Sequence, residues 1–426
     1  MPGDSTNINN KAVAQNTYDA IVVGSGISGG WAAKELRRGI AATGNDGVMP
    51  HSPMSLDAYA ARFEDEPGYL DFASVGPVGR TVQEEVALQF STLARARFGS
   101  LTALLDQDVR VRSAVAALTG CRPDQVVFQP NTSQGLMHAM FGITGGVGIS
   151  PAEFPSITFA AVRAAQALGV LAPTWLETDH GRVTPGNLRE QLSSSIVAVA
   201  ISLVDFRTGY LADLEGIRQV IGDRMLIVDA TQCFGVVDAP WSLADVVVAG
   251  GQSWPRAGWG TGFLALSDRA RERLTPVWSG FNATDVAGTP VDSVPEPTRT
   301  TSAFQVSNPD PMAQARFAAS LEEIAAVGVP AINAKIAQNV SRIIDIADEF
   351  AIPVVSSRAE PERAGIVVLE PAPDQLTVLA ASLHNHGVSA TIREGRVRLS
   401  VHVTTDEETF SVLKGAFVSF GTATSV

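Results

Sequence analysis

From residue 54 onward, apolar positions follow two alternating periods, and these periods predict the secondary structure. Helical spacing, with apolar residues three or four positions apart, occurs at roughly 81–98, 101–119, 134–142, 158–168, 186–193 and 212–221. Short apolar runs rich in β-branched residues predict strands at 125–129, 196–204, 225–229, 244–249 and 262–266. Helices that alternate with buried strands are typical of a mostly parallel sheet covered by helices. The pattern therefore predicts an α/β protein.

The pattern changes near residue 296, where a stretch rich in Thr, Ser, Asn and Pro predicts a domain junction. Helices are predicted beyond it near 311–327, 330–350, 373–386 and 406–419, and strands near 364–370 and 396–403. The closing β-α-β-α stretch predicts a small α+β domain. We therefore divide the chain into an N-terminal segment 1–53, a large domain 54–295 and a small domain 296–426.

The N-terminal segment contains an apolar strand that runs into a Gly24-x-Gly26-x-x-Gly29 turn and a predicted helix. Residues 18–36 resemble the N-terminus of the glucose-methanol-choline (GMC) flavin oxidoreductases. A dinucleotide-binding unit also needs a second strand that ends in Asp or Glu about twenty residues later. No such strand follows, so we interpret 1–53 as an appended, truncated Rossmann-like fragment and expect no flavin.

Composition excludes several classes of function. The net charge of −13 disfavours a nucleic-acid or anionic-membrane partner. No stretch of eighteen or more apolar residues predicts a membrane span. The two cysteines, Cys121 and Cys233, lie far apart without metal-type spacing. They are typical of a reduced, cytoplasmic protein rather than of a disulfide framework, and we expect no metal site.

Hydroxyl and amide side chains follow the strand predicted at 125–129. Thr132, Ser133 and Gln134 stand at the start of a predicted helix, where backbone N–H groups are free. Such a turn is a good phosphate cradle. The same residue types are also ordinary helix caps, so this segment alone is not specific.

A carboxylate and an amide follow the apolar strand predicted at 225–229. Asp229 ends that strand, and the C-terminal ends of parallel strands face the crevice where α/β proteins bind ligands. In that position Asp229 could pair with a protonated ring nitrogen, and Gln232 could donate to a ring oxygen. A loop-capping aspartate is the plainer interpretation.

Two later segments complete the set of candidates. Glycines are dense between residues 250 and 262, which indicates close backbone approach or a turn-rich hairpin. Arg396, Arg398 and Ser400 share one face of the last predicted strand, because side chains alternate along a strand. A buried arginine suits bidentate binding of a carboxylate, whereas a lone arginine on a strand is usually solvated.

In this order and spacing, the four segments resemble class V aminotransferases, especially the branch related to isopenicillin N epimerase and the cysteine desulfurases. The resemblance covers about 55–420 and includes the segments 69–77, 153–156 and 204–209. It implies the fold-type I pyridoxal-phosphate (PLP) transferase fold. That fold has a large α/β domain with a mixed, mostly parallel seven-stranded sheet and a small α+β C-terminal domain.

The resemblance also implies roles for individual residues. Cofactor-binding positions are Thr132, Ser133, Gln134, Asp229, Gln232 and Trp254, and the arginine for the substrate carboxylate is Arg398. The implied cofactor is PLP or pyridoxamine 5'-phosphate. The implied substrate is a small amino-acid-like molecule, and the implied assembly is a homodimer. Cys233 is expected to pack beneath the cofactor rather than to act in catalysis.

At one position the sequence departs from the family pattern, and this departure determines which functions are possible. In this family a Gly-Gly-x-Lys-Trp turn supplies the lysine that binds the cofactor as a Schiff base. Here the turn is Gly250-Gly251-Gln252-Ser253-Trp254, and Ser253 stands at the lysine position. A hydroxyl cannot form that link, nor serve as the amine base that moves the substrate α-proton. The four lysines lie elsewhere, at Lys11, Lys34, Lys335 and Lys414.

Three interpretations remain open. In the first, the protein is a PLP-fold enzyme that holds its cofactor noncovalently, with weak or altered epimerase, aminotransferase or Cβ–S lyase chemistry. In the second, it is a catalytically silent binding or structural partner of the same fold. Alternatively, the serine at position 253 is an engineered lysine-to-serine change that traps a reaction intermediate.

Overall fold

The computed structural model describes residues 53–96, 99–286, 288 and 292–424. The glycine-rich fragment 18–36 lies outside these ranges. Among the helices within them, none combines the length and the apolar composition that a membrane crossing requires.

Ten strands form two sheets in the described part of the chain. The large sheet contains β1 (Val126–Phe128), β2 (Gly145–Ile149), β3 (Leu171–Trp175), β4 (Ile196–Ser202), β5 (Met225–Asp229), β6 (Val246–Gly250) and β7 (Gly262–Leu266). The small sheet contains β8 (Ile366–Leu369), β9 (Thr391–Arg393) and β10 (Arg396–Ser400). The large sheet has the order β1-β7-β6-β5-β4-β2-β3 and the small one β8-β10-β9.

Strand direction brings the ends of several strands to one edge of the large sheet. Pairing from β6 through β5, β4 and β2 to β3 is parallel. β7 runs antiparallel to both β6 and β1, so β1 points the same way as β6. The predicted mixed, mostly parallel seven-stranded sheet is confirmed, and a separate small sheet accompanies it.

Thirteen helices surround these sheets within the described residues. They are α1 (Leu56–Ala60), α2 (Arg80–Arg95), α3 (Ser100–Leu105), α4 (Gln107–Thr119), α5 (Thr132–Phe141), α6 (Pro155–Leu168), α7 (Pro185–Gln191), α8 (Leu214–Ile221), α9 (Asp268–Arg273), α10 (Pro311–Val327), α11 (Val329–Glu349), α12 (Leu376–Asn385) and α13 (Glu407–Thr424). Asn131 caps α5 and Asp213 caps α8, each by accepting a backbone N–H from the first turn.

The central strand β5 shows why the large sheet is covered on both faces. Leu226 and Val228 belong to one buried apolar cluster, which includes side chains of α4 and α10. Met225 and Ile227 belong to a second cluster on the opposite face, which includes side chains of α5 and α6. Since alternate residues of a strand point to opposite faces, a strand buried on both faces is apolar throughout.

Two strands of the large sheet were not located by the apolar pattern. β2 contains Gly145, Gly146 and Gly148, which supply no side chains to the pattern. β3 lies at the sheet edge and contains Pro173, a residue that strands tolerate mainly at edges. Both strands depend on pairing with their neighbours rather than on local sequence preference.

Candidate functional site

The aligned strand ends open into a cavity of about 390 Å³. The large domain lines it with the turn after β1 and with the ends of β4, β5 and β6. The small domain closes it with β8 and with the β9–β10 hairpin, and Ala73 and Ser74 line it from the segment before α2. The site therefore combines three parts of the chain that are far apart in sequence.

The turn after β1 forms one end of the cavity. Thr132 Oγ1 lies 2.7 Å from Thr231 Oγ1, and Ser133 Oγ lies 2.7 Å from Ser156 Oγ. Asn131 Oδ1 accepts the backbone N–H of Gln134 and so caps the first turn of α5. Thr132 and Ser133 line the cavity, whereas Gln134 is not among the lining residues.

Asp229 forms the floor of the cavity at the end of β5. Its side chain is 4% exposed, and its Oδ1 accepts the backbone N–H of Thr231 at 2.9 Å. Burial raises the pKa of the Asp229 carboxyl above its usual value. No cationic side chain pairs with Asp229 in the described part of the chain. Because a buried charge is costly without a partner, an ionised Asp229 requires a positively charged group from a ligand.

Gln232 lies beside Asp229 and is held at both ends of its amide. Its Nε2 donates to the carbonyl of Ala73 at 3.1 Å, and its Oε1 accepts the indole N–H of Trp254 at 2.8 Å. Gln232 lines the cavity, whereas Trp254 is fully buried behind it. Trp254 therefore does not line the cavity, but it is hydrogen-bonded to Gln232, which does.

Ser253 is fully buried, and its Oγ donates to the carbonyl of Thr231 at 3.3 Å. The neighbouring Gln252, in contrast, lines the cavity, and its side chain makes no hydrogen bond within the described residues. Gly76 brings another segment onto this turn, because its N–H donates to the carbonyl of Gln252 at 2.8 Å. A side-chain carbon at Gly76 would collide with the carbonyl of Ser253, so this close approach requires glycine.

Arg398 reaches the cavity from β10. Its Nη1 donates to the carbonyl of Phe206 at 3.2 Å, and its Nη2 donates to Ser74 Oγ at 2.7 Å. Asp71 Oδ1 lies 3.5 Å from Nη2. The buried Nε has no hydrogen-bond partner among the described residues. One donor of a largely buried cation is therefore available to a ligand.

Cys233 lies directly beyond Gln232 and is fully buried, with its Sγ 3.3 Å from the carbonyl of Ala230. Burial raises the pKa of the Cys233 thiol well above its ordinary value. A buried neutral thiol is a poor nucleophile.

The motifs did not indicate three residues that lie at the cavity or directly beside it: Phe154, Phe206 and Glu153. Phe154 and Phe206 line the cavity as an edge-to-face pair with ring centres 5.0 Å apart. Glu153 Oε2 accepts the backbone N–H of Ser202, at the end of β4. Burial raises the pKa of Glu153 to about 8. The segments that contain these residues resembled the family, but no single residue type identified them.

The structure thus brings Thr132, Ser133, Asp229, Gln232 and Arg398 to one cavity. Ser253 and Trp254 lie behind its wall rather than in it. Among the described residues no group of three or more His, Cys, Asp or Glu side chains is placed to hold a metal ion.

Comparison with known proteins identifies related sequences and folds. The family described as aminotransferase class-V matches residues 80–413 of the chain. No curated protein sequence matches the chain significantly.

Solved structures with the same fold include a cysteine desulfurase from Thermococcus onnurineus NA1, with a TM-score of 0.74 and 20% sequence identity. That alignment covers 84% of this chain and 95% of the desulfurase. The cystine C–S lyase C-DES in complex with cysteine persulfide gives a TM-score of 0.74 at 16% identity, covering 83% and 97% of the two chains. A lysine-to-alanine mutant of C-DES, with glycine covalently linked to its PLP cofactor, gives a TM-score of 0.74 at 16% identity, covering 83% and 96%.

Proposed function

The chain belongs to the class-V aminotransferase family, and on that premise we propose that it binds PLP or pyridoxamine 5'-phosphate noncovalently. The observation that carries this proposal is the Asp229 carboxylate, buried at the floor of the cavity without a cationic partner in the described part of the chain. A protonated pyridine nitrogen supplies the missing positive charge. The cavity volume of about 390 Å³ lies in the range of small-molecule sites.

The residues at the opposite end fit a phosphate group. Thr132 and Ser133 contribute hydroxyl groups to the cavity from the first turn of α5, whose N-cap is Asn131. Helix N-termini favour anions because their first N–H groups lack partners within the helix. Gln252 adds an amide without a hydrogen-bond partner in the described chain. Gln232 has its carbonyl oxygen engaged by Trp254 and directs its remaining Nε2 proton toward a ring oxygen.

Arg398 fits the carboxylate of an amino acid. Its guanidinium is mostly buried, and its Nε has no partner among the described residues. Bidentate binding of a carboxylate satisfies such a donor and also orients the substrate. We therefore propose that Arg398 places the α-carbon of an amino-acid substrate near the centre of the cavity.

When bound, the cofactor supplies an electron sink for bonds at the amino-acid α-carbon. This chain's residues bind and orient the reactants, but Ser253 provides neither a covalent attachment nor an amine base. We therefore propose weak or altered chemistry of the epimerase, aminotransferase or Cβ–S lyase kind, on a small amino-acid substrate. The sequence branch related to isopenicillin N epimerase and the cysteine desulfurases supports this range of reactions.

The experiment is a titration of the purified protein with PLP, followed by absorbance, then by borohydride reduction and dialysis. We expect saturable binding that dialysis reverses, with no cofactor fixed to the protein after reduction. Asp229→Ala should weaken binding by about 10-fold or more, because the ring nitrogen loses a charged partner. A reduced cofactor attached to a peptide that contains Lys335 or Lys414 would contradict the noncovalent site.

The second candidate is a catalytically silent binding partner, and the position of Ser253 favours it. Ser253 is fully buried, its hydroxyl donates to the carbonyl of Thr231, and it is not among the residues that line the cavity. Retained amino-acid exchange activity at the α-carbon would exclude this candidate. PLP binding without any such exchange would support either this candidate or a serine introduced as a trap.

We also propose a homodimer, which the family resemblance implies and an exposed apolar surface supports. This surface comprises Leu88, Phe90, Leu93, Leu101, Leu105 and Val109, all exposed on α2, α3 and the start of α4. Large exposed apolar patches mark protein interaction sites. Light scattering should show a dimer that Leu105→Glu weakens. Val294→Glu, at a loop residue that is 98% exposed, is the matched control.

A further inference from the structure

Arg207 stands between the cofactor cavity and a second, larger cavity. The second cavity has a volume of about 1030 Å³ and is lined by the loop around residues 175–182 and by residues 353–355. Arg207 and Arg396 line both cavities. A ligand that begins in the first cavity therefore meets Arg207 where it would extend into the second.

The cation of Arg207 is incompletely paired. Its Nη2 lies 3.4 Å from Asp205 Oδ2, a long contact, while Asp205 Oδ1 caps the backbone N–H groups of Arg207 and Thr208. Arg207 Nε is buried and has no hydrogen-bond partner within the described chain. The guanidinium of Arg207 therefore makes a single hydrogen bond among the described residues, the long one to Asp205.

Arg182 repeats this arrangement in the second cavity. Its guanidinium carbon lies 5.0 Å from the ring centre of Tyr210, and its Nε is likewise buried without a partner in the described residues. Gly181, next to it, has a φ of +79°, and a side-chain carbon there would collide with the guanidinium of Arg207. Glycine thus lets the Arg182 loop close directly onto Arg207.

The acids in the second cavity do not neutralise these two cations. Glu370 pairs with Arg396 at 2.9 Å. Glu177 forms no ion pair with either arginine within the described residues, and His180 pairs with Asp179. Arg182 therefore has no carboxylate partner among the described residues, and Arg207 has only its long contact with Asp205.

Backbone geometry connects this region to the proposed carboxylate site. Arg398 donates to the carbonyl of Phe206, and Arg207 is the next residue along the same turn. Arg398 and Arg207 thus both line the first cavity, and Arg398 is hydrogen-bonded to the residue that precedes Arg207. A molecule held by Arg398 has Arg207 as its neighbour on the side of the second cavity.

We propose that Arg207 and Arg182 bind a second anionic group of the substrate. The substrate would then be an α-amino acid whose side chain extends from the first cavity into the second and ends in a carboxylate. This inference rests on the proposed function, because it assigns the α-carboxylate to Arg398. Arginine suits the role because its planar fork matches a carboxylate with two parallel hydrogen bonds.

The test compares two ligands that differ only in the distal group: L-2-aminopimelate and the amide of its distal carboxyl. Calorimetric titration of PLP-saturated full-length protein should give about 10-fold tighter binding of the diacid, since hydrogen bonds to a charged carboxylate are stronger than those to a neutral amide. Arg207→Gln should remove this preference, Arg182→Gln should reduce it, and Arg207→Lys should retain part of it. Arg398→Gln should weaken both ligands by the same factor.

A surface variant, Arg358→Gln, which only loses an exposed pair with Asp348, should leave the preference unchanged. Equal affinity for the two ligands in the unmodified protein would overturn the second-anion site. An unchanged preference in Arg207→Gln, with the folded state verified by thermal melting, would overturn it as well. Both outcomes leave the proposed function intact when PLP is bound and Arg398→Gln weakens binding. Absence of PLP uptake in the same samples would refute the proposed function itself.

Discussion

The indole N–H of Trp254 donates to Gln232 Oε1 at 2.8 Å, and this bond orients the amide that faces the cavity. The other end of the same amide donates to the carbonyl of Ala73. An amide fixed at both ends has one Nε2 proton and one oxygen lone pair left to offer a ligand, in a set orientation. Trp254 is therefore a positioning residue, although its own side chain is fully buried.

Trp254→Phe should weaken PLP binding by about 5-fold to 10-fold and lower the free energy of unfolding by about 1–2 kcal/mol. The physical reason is that the phenyl ring retains most of the packing but leaves Gln232 Oε1 without its donor. Fluorescence titration with PLP and chemical denaturation measure the two effects. Gln232→Ala should weaken binding less in the Trp254→Phe background than in the unmodified protein, because the amide that it removes is then no longer oriented by Trp254. Additive losses would contradict the coupling.

Ser253→Lys should restore a covalent, yellow attachment of PLP that borohydride reduction makes permanent. The Ser253 hydroxyl already contacts the carbonyl of Thr231, which lines the cavity. The close approach of Gly76 to the Ser253 carbonyl holds that turn in place. The lysine would also restore a base, and general-base catalysis contributes about 10²–10⁴-fold. The rate of exchange of the amino-acid α-hydrogen with solvent should rise by that order.

The control for this gain is Ser253→Lys combined with Asp229→Ala. Loss of the buried carboxylate should remove the gain in exchange while the lysine remains present. Ser253→Lys protein that binds PLP but stays colourless would show that the turn no longer directs a side chain into the cavity. The binding-partner candidate would then be the better account.

Glu153 should make stability depend on pH. Burial raises the pKa of Glu153 from its usual value of 4.5 to about 8, so the folded protein retains a proton that the unfolded chain loses. This stabilisation is complete below about pH 4.5 and is lost as the pH rises through 8. Glu153→Gln keeps a neutral acceptor for the Ser202 N–H at every pH. At pH 9 it should exceed the unmodified protein in unfolding free energy by at least about 1.4 kcal/mol, the equivalent of one pKa unit.

Denaturant unfolding at pH 5 and pH 9 measures this difference, which should be several-fold smaller at the lower pH. An equal difference at both pH values would mean that the Glu153 carboxyl does not change protonation on unfolding in this range.

Arg256 should be the most sensitive charged residue for stability near the Ser253 turn. It is 1% exposed, forms a buried pair with Asp65, and its guanidinium carbon lies 3.5 Å from the ring centre of Phe63. Arg256→Met should cost about 3–5 kcal/mol, because it leaves a largely buried carboxylate unpaired. Arg256→Met with Asp65→Leu should recover much of that loss. Thermal melting measures both, and a double variant as unstable as the single one would contradict the argument from charge.

Local sequence alone predicted one strand of the large sheet and one turn beside the site. The strand Met225–Asp229 is apolar at every position before its final carboxylate, and this pattern predicts a strand buried on both faces with Asp229 at the ligand edge. The turn Gly250-Gly251-Gln252-Ser253-Trp254 likewise led, through the family resemblance, to the prediction that Ser253 stands at a lysine position. Both features depend on the order of neighbouring residues.

Other features were decided only when distant segments packed together. The glycine-rich β2 became a strand because β3 and β4 pair with it on either side. The orientation of Ser253 toward Thr231, and the position of Arg207 between two cavities, depend on loops that follow different strands. Local sequence predicts which residues end a strand, because backbone periodicity repeats every few residues. Only the tertiary fold determines which of those ends meet and which side chains remain without partners, because these depend on contacts between segments far apart along the chain.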